Sequence, residues 1–195
     1  MPDEMAQVAE QKIREDLTFL LRHTIEKSMA GIRLTMDEEI DQEIRQRIAV
    51  LVFDEMVNEI PIVPYLAVWE DGSAAITHAY MSPKVKDLCG YGPEELARTG
   101  YGSIVRGDII RFYREQNGRA ENVKSLTDAR QKRISGFLDS RRWEGCYKIE
   151  KKDGRTAWVI DRATITRFRN TLNDRIICLS SGVLIETTEL LDRKD

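Results

Sequence analysis

Histidine, cysteine and proline are scarce in this chain: 195 residues include 2 His, 3 Cys and 5 Pro. His23 and His78 lie far apart, and with so few nitrogen and sulfur ligands no closed tetrahedral zinc site is expected. Cys89, Cys146 and Cys178 show no paired spacing, which argues against a disulfide framework and for a reducing, cytoplasmic setting. No apolar run approaches the roughly 18 residues that a membrane span needs. Met1 to Glu15 is polar and acidic and does not read as a signal peptide. The net charge of −3 supplies no overall basic field for nucleic acid. A phosphate-cradling Gly-x-x-x-x-Gly-Lys-Ser/Thr loop and a nucleophile elbow are both missing. Asp16, Glu38, Asp108 and Asp161 are scattered and have no partner base near them in sequence. A chain without catalytic activity of its own is the expectation.

What is present is an ordinary globular composition, 42% hydrophobic and 32% charged. The length suits one domain with an extension. Charge divides it: residues 1–60 carry 7 Lys and Arg against 14 Asp and Glu, whereas residues 61–195 carry 23 against 19. The apolar period changes at the same place.

The acidic part reads as a helical hairpin. Ile13, Leu17, Leu20, Leu21 and Ile25 recur at three- and four-residue steps, one face of a helix over roughly 4–29. Gly31 can end it, and Thr35 with Glu38 three residues on suits a capping box for the next helix. Met36, Ile40, Ile44, Ile48, Leu51 and Val52 form the second stripe, stopped by Pro61 and Pro64. One hairpin covers its own stripe poorly, so pairing with a second copy is the simplest reading. That makes Ile13, Leu17, Leu20, Leu21, Ile40, Ile44 and Ile48 the candidate homodimer interface. The alternative is a hairpin lying flat on its own domain. DNA binding by a helix-turn-helix fits poorly with so acidic a segment.

From Ile62 onward, β-prone runs dominate. They cover Ile62–Trp69 and Ala74–Tyr80, joined by an Asp71-Gly72 turn, and later Trp143–Lys151, Thr156–Phe168 and Arg175–Thr187. Between them, Ser82-Pro83 and Pro93-Glu94-Glu95-Leu96 look like helix starts, with Gly90-Tyr91-Gly92 as a break. Ser103 to about Asp139 reads as helical and polar. The expected fold is α+β: a five-stranded antiparallel sheet with helices on one face, preceded by the α-helical hairpin. The expected units are 1–60 as the arm, 61–190 as the domain and 191–195 as the start of a linker.

Three segments of this second part resemble the PAS family of sensory modules. Ile76-Thr77-His78-Ala79-Tyr80-Met81-Ser82-Pro83 running on to Gly90-Tyr91-Gly92-Pro93-Glu94-Glu95-Leu96 is similar to the family's second strand and the helices after it. Tyr147-Lys148-Ile149 through Lys152-Asp153-Gly154 to Trp158-Val159-Ile160 is similar to its paired strands around a Lys-Asp-Gly turn. Gly182-Val183-Leu184-Ile185-Glu186-Thr187-Thr188-Glu189 is similar to its last strand, with Glu-Thr-Thr where Asp-Ile-Thr is common. The match spans about residues 62–190. Arg106-Gly107-Asp108 departs from the usual His-Pro-Asp-Asp, and the segment after it is longer than usual.

The resemblance implies a signalling module whose pocket lies between sheet and helices. Candidate pocket residues are His78, Tyr80, Tyr91, Tyr113, Tyr147, Ile149 and Trp158; ordinary core packing is the competing role for each aromatic. Flavin-binding members use an Asn-Cys-Arg-Phe-Leu-type motif that this chain lacks. Haem-binding members need a His on the long helix or a facing strand, and here only His78 comes near. Neither flavin nor haem is expected; a small organic ligand, or an unliganded pocket acting as an interaction surface, is. The implied partners are a second copy and an output signalling protein, with no nucleic acid and no membrane. An enzyme on a PAS-like fold is the remaining alternative. Because Asp195 follows soon after the last strand, the chain reads either as a free-standing module or as the sensory piece of a longer protein. Arg130, Lys132, Arg133, Arg141 and Arg142 form either an anion patch or a solvated face.

Overall fold

The computed structural model describes residues 19, 23, 35–57, 62–73, 75–112, 120–123 and 142–187. Runs rich in Val, Ile, Thr and aromatic residues form its strands, as pleated, half-buried positions favour. In chain order these are β1 (Val63–Glu70), β2 (Thr77–Met81), β3 (Val105–Phe112), β4 (Ala120–Val123), β5 (Arg142–Glu150), β6 (Thr156–Asn170) and β7 (Arg175–Thr187). They make one sheet in the order β2-β1-β7-β6-β5-β3-β4. Every pairing is antiparallel. The five expected strands are present and contiguous.

The two additional strands correct the sequence reading. The expected helix over 103–139 is replaced at its start by a 3-10 turn (Tyr101–Ile104), and β3 follows directly. Ile109 and Ile110 are β-branched, and the edge of β5 offers their backbone a ladder. That long-range pairing outweighs a weak local helical pattern. β3 meets β5 at Val105↔Ile149 and Arg106↔Lys148, then again at Ile110↔Cys146. The register slip between these pairs contains Gly107 at φ 68°, left-handed backbone that glycine supplies without strain.

Helices cover both faces rather than one. Val85–Cys89 (α2), Pro93–Thr99 (α3) and the 3-10 turn pack on one face, here called the inner face. The hydroxyl of Ser82 accepts the Lys84 N–H at 3.0 Å and sets the turn that leads into α2. Gly90 closes α2 at φ 80°. Pro93 opens α3, and Glu95 Oε2 accepts the Gly92 N–H at 2.9 Å.

The other, outer face carries the arm helix α1 (Glu38–Val57). Its cap is Asp37 rather than Thr35: Asp37 Oδ1 accepts the Ile40 N–H at 3.0 Å. Asp37 Oδ2 also accepts the backbone N–H and hydroxyl of Thr171, at 2.6 and 2.8 Å, so the cap doubles as a tie to the β6–β7 turn. These donors, the Thr171 N–H foremost, hold the Asp37 carboxyl below its ordinary value. Ile40, Ile44 and Ile48 are at most 1% exposed and pack with Leu66, Val68, Ala79, Tyr80, Ile177 and Leu179. The expectation that these three isoleucines face a second copy is therefore corrected: they are consumed by the chain's own sheet. Burying each is worth about 1.5–3 kcal/mol, enough to hold a single helix against the sheet. Ile13, Leu17, Leu20 and Leu21, the rest of the expected interface, lie outside the described residues.

Candidate functional site

Side chains alternate across a strand, so the inner face is assembled from every second residue. On β6 these are Ala157, Val159, Asp161, Ala163 and Ile165, all buried. An acid thus stands in the middle of an apolar row. Asp161 Oδ1 accepts the Tyr65 hydroxyl at 2.7 Å, and Oδ2 accepts the Tyr147 hydroxyl at 3.1 Å. Tyr147 and Tyr101 hydroxyl oxygens lie 3.4 Å apart. Tyr147 has one proton and gives it to Asp161, so Tyr101 is the donor in that contact. The His78 ring stands edge-on to Tyr65 and Tyr101, with centroids 5.7 and 5.8 Å away. Tyr65, Tyr101, Tyr147 and Asp161 are all 7% exposed or less.

Tyr65 can lie flat because β7 offers it no side chain. A Cβ on Gly182, its cross-strand partner, would sit 2.5 Å from Tyr65 Cζ. Ala163 completes the floor, its Cβ 2.8 Å from where that Gly182 Cβ would sit. Trp143 lies over Gly145 in the same manner, two residues along its own strand.

Burial foremost, then the neighbouring Asp161 charge, pushes the Tyr65 and Tyr147 phenols far above their ordinary value, and burial raises Tyr101 likewise. All three remain protonated donors. Their contribution to stability is full below pH 10.0, the ordinary phenol value, and is lost as pH rises toward the folded values. In an alkaline absorbance titration these three are expected to ionise only as the fold is lost. Their phenolate signal should then rise together with the collapse of near-ultraviolet circular dichroism. Ionisation of every tyrosine near pH 10 in an intact fold would show a cluster open to water.

The structure sorts the seven candidate pocket residues. His78, Tyr147 and Ile149 lie on the inner face, within or beside the cluster; Tyr91 packs at its rim, under Lys152 Nζ at 5.5 Å. Tyr80 and Trp158 are corrected. Tyr80 points to the outer face with α1, because a register slip in the β1–β2 pairing adds one residue between His78 and Tyr80. Trp158 alternates with Ala157 and Val159, so it faces outward, where Lys148 Nζ covers its ring at 4.9 Å. Tyr113 lies outside the described residues. Tyr65 and Tyr101 escaped notice in the sequence, as did the partners of Asp161. The polar residue inside β6's alternating apolar row was the signal that could have found them.

A concavity of about 360 Å³ lies between α2 and the β5–β6 turn, lined by Lys86, Asp87, Lys151, Lys152, Asp153 and Arg155 among others. Its charges are mostly spoken for: Lys151 pairs with Glu186, Lys152 with Glu95 and Arg155 with Asp153. Among the described residues no group of three His, Cys, Asp or Glu is placed to hold a metal, and no helix is long and apolar enough to cross a membrane. Cys89, Cys146 and Cys178 are all buried free thiols. Of the proposed basic patch only Arg142 is described, and it begins β5.

No family model matches the chain, and no curated protein does. Solved structures do, and the chain is similar to PAS domains. The PAS domain of a protein from Colwellia psychrerythraea is matched over 72% of this chain and 98% of that one, at 11% identity and a TM-score of 0.42. A sensory box histidine kinase/response regulator from Burkholderia thailandensis is matched over 70% and 84%, at 17% and 0.34. The PAS domain of the fruit-fly ELK potassium channel is matched over 68% and 94%, at 14% and 0.36. Likenesses this distant carry no argument about activity, which must come from the residues themselves.

Proposed function

We propose that this chain is a non-catalytic sensory or regulatory module of signal transduction, with a PAS-type domain over about 61–190 and the arm before it. The observation that carries this reading is the hydrogen-bonded cluster of Asp161, Tyr65, Tyr147 and Tyr101, with His78 beside it, buried between sheet and helices. Hydroxyls and a carboxylate on an otherwise apolar floor are the furnishing of a small-molecule site. A small organic ligand that exchanges hydrogen bonds with this set would stabilise one arrangement of the sheet over another and so shift a population. In this reading the module works in the cytoplasm, as a homodimer or with an output protein.

A second reading is favoured by one specific feature. The cluster's hydroxyls already satisfy one another and the carboxylate, so the interior can stand without a guest. The module would then act through contacts with other proteins alone. Native mass spectrometry of the purified full chain, with its absorption spectrum, separates the two. A stoichiometric small molecule that is lost in Tyr101→Phe supports ligand sensing. A bare chain at every concentration supports the interaction module.

A further inference from the structure

The side-chain contacts of the inner face close into a circuit. Tyr65 and Tyr147 both donate to Asp161, at 2.7 and 3.1 Å, and Tyr147 accepts from Tyr101 at 3.4 Å. The His78 ring then bridges Tyr101 back to Tyr65. Neighbouring ring centroids in the circuit are 5.7, 5.8 and 6.3 Å apart. Its middle therefore lies within the roughly 6 Å over which an aromatic face attracts a cation. Four members stand on β1, β2, β5 and β6, whereas Tyr101 comes from the 3-10 turn. The Tyr101–Tyr147 link is also the longest hydrogen bond of the circuit. Tyr101 can thus stand back for a guest without breaking a strand pairing.

The protons and lone pairs of the circuit dictate what that guest must be. Each hydroxyl carries one proton and can also accept. Tyr65 and Tyr147 give their protons to Asp161, Tyr101 gives its own to Tyr147, and the Ser180 hydroxyl donates to Tyr65. The donors are spent. Among the described residues, however, no donor reaches the Tyr101 oxygen. A guest that accepts hydrogen bonds must draw a proton out of an existing contact, whereas a guest that donates takes nothing away. Charge points the same way. Burial foremost, and the Asp161 charge after it, opposes a negative charge on any of the three phenols. A carboxylate guest would meet the same opposition, and the Asp161 charge would attract an ammonium.

We propose that the guest of this site is a small organic amine, held as its ammonium ion by the Tyr101 oxygen, the surrounding aromatic rings and the charge of Asp161. This rests on the ligand-sensing reading and names the chemical class that is sensed. The ammonium donates to Tyr101 and leaves both hydroxyl bonds to Asp161 in place. The carboxylate keeps its donors and gains a short-range attraction in a water-poor setting, where charges act most strongly.

The probes are n-butylamine, 1-butanol and sodium butyrate, which share a chain length and differ in charge. Affinities are read by nuclear magnetic resonance titration of the full chain at matched ionic strength. The pH is about 8, where an alkylammonium keeps its proton and an ordinary imidazole has lost its own. Butylamine is expected to bind at least about tenfold more tightly than butanol, and butyrate not to bind. Tyr101→Phe, which leaves both bonds to Asp161 intact, should weaken butylamine about fivefold. Asp161→Asn should erase the advantage of the amine over the alcohol. Should Asp161→Asn unfold, Tyr101→Phe and the three wild-type affinities decide alone. No binding of butylamine, equal binding of amine and alcohol, or tighter binding of butyrate overturns the proposal. So does butylamine affinity unaltered by either substitution, which would mark attraction to the acidic surface. The broader sensory reading is judged separately, by whether the purified chain carries a stoichiometric small molecule of any class. A neutral or acidic one would keep that reading and overturn this one.

Discussion

Asp161→Ala is expected to destabilise the chain by about 2–5 kcal/mol in chemical denaturation, because it strands two buried hydroxyls at once. Tyr65 and Tyr147 both donate to this carboxylate, and neither is more than 5% exposed. Without it both protons lose their charged acceptor. Each phenol alone is a smaller matter: Tyr65→Phe or Tyr147→Phe is expected to remove about 1.5–3 kcal/mol, the worth of a hydrogen bond to a charged acceptor. Non-additivity is the sharper expectation. Adding Tyr65→Phe and Tyr147→Phe to Asp161→Ala should restore part of the lost stability, since the stranded donors vanish with their acceptor. A neutral Asp161→Ala would show that the carboxylate does not anchor the cluster.

Ile44→Asp is expected to detach α1 from the sheet. Ile44 is fully buried at the middle of the helix, with Ile40 and Ile48 one turn to either side. A carboxylate there has no partner, and a buried unpaired charge costs more than the helix's other contacts return. The milder Ile44→Ala should cost about 2–5 kcal/mol. Detachment is read by trypsin at Arg45 and Arg47, which should cut the Ile44→Asp chain at least about tenfold faster, as a change of 1.4 kcal/mol in local opening would give. The strands β6 and β7 should remain resistant. Unchanged cutting, together with loss of an oligomer on size-exclusion chromatography, would instead return the isoleucine stripe to an interface between copies.

The strands were legible because their signals are local. β5, β6 and β7 begin or end on turn residues such as Lys152-Asp153-Gly154 and Asn173-Asp174, and their Val, Ile and Thr content fits a pleat. The helix α1 was equally plain from its period, but not the surface it would cover. An amphipathic stripe states that something apolar must lie against it and nothing about whether that is a sheet or a second copy. The stretch from 105 to 123 misled for a related reason. Ile109, Ile110 and Phe112 suit a strand as well as a helix, and only the open edge of β5 decided between them.

The cluster shows the division most clearly. Tyr147 and Ile149 alternate with Lys148, so local pattern was enough to turn them inward. His78 and Tyr80 have the spacing of same-face neighbours, yet the slip in the β1–β2 register sends them to opposite faces. By itself the sequence determined that the segments of β1, β2, β5, β6 and β7 would be strands and that the stretch carrying Ile40, Ile44 and Ile48 would be an amphipathic helix. The tertiary structure alone decided that α1 is spent on its own sheet, and that Tyr65, Tyr101, Tyr147 and Asp161, spread over 97 positions, meet at one point. Hydrogen bonds between hydroxyls and a carboxylate depend on distance in space, and a sequence pattern carries only the period of the element each residue sits on.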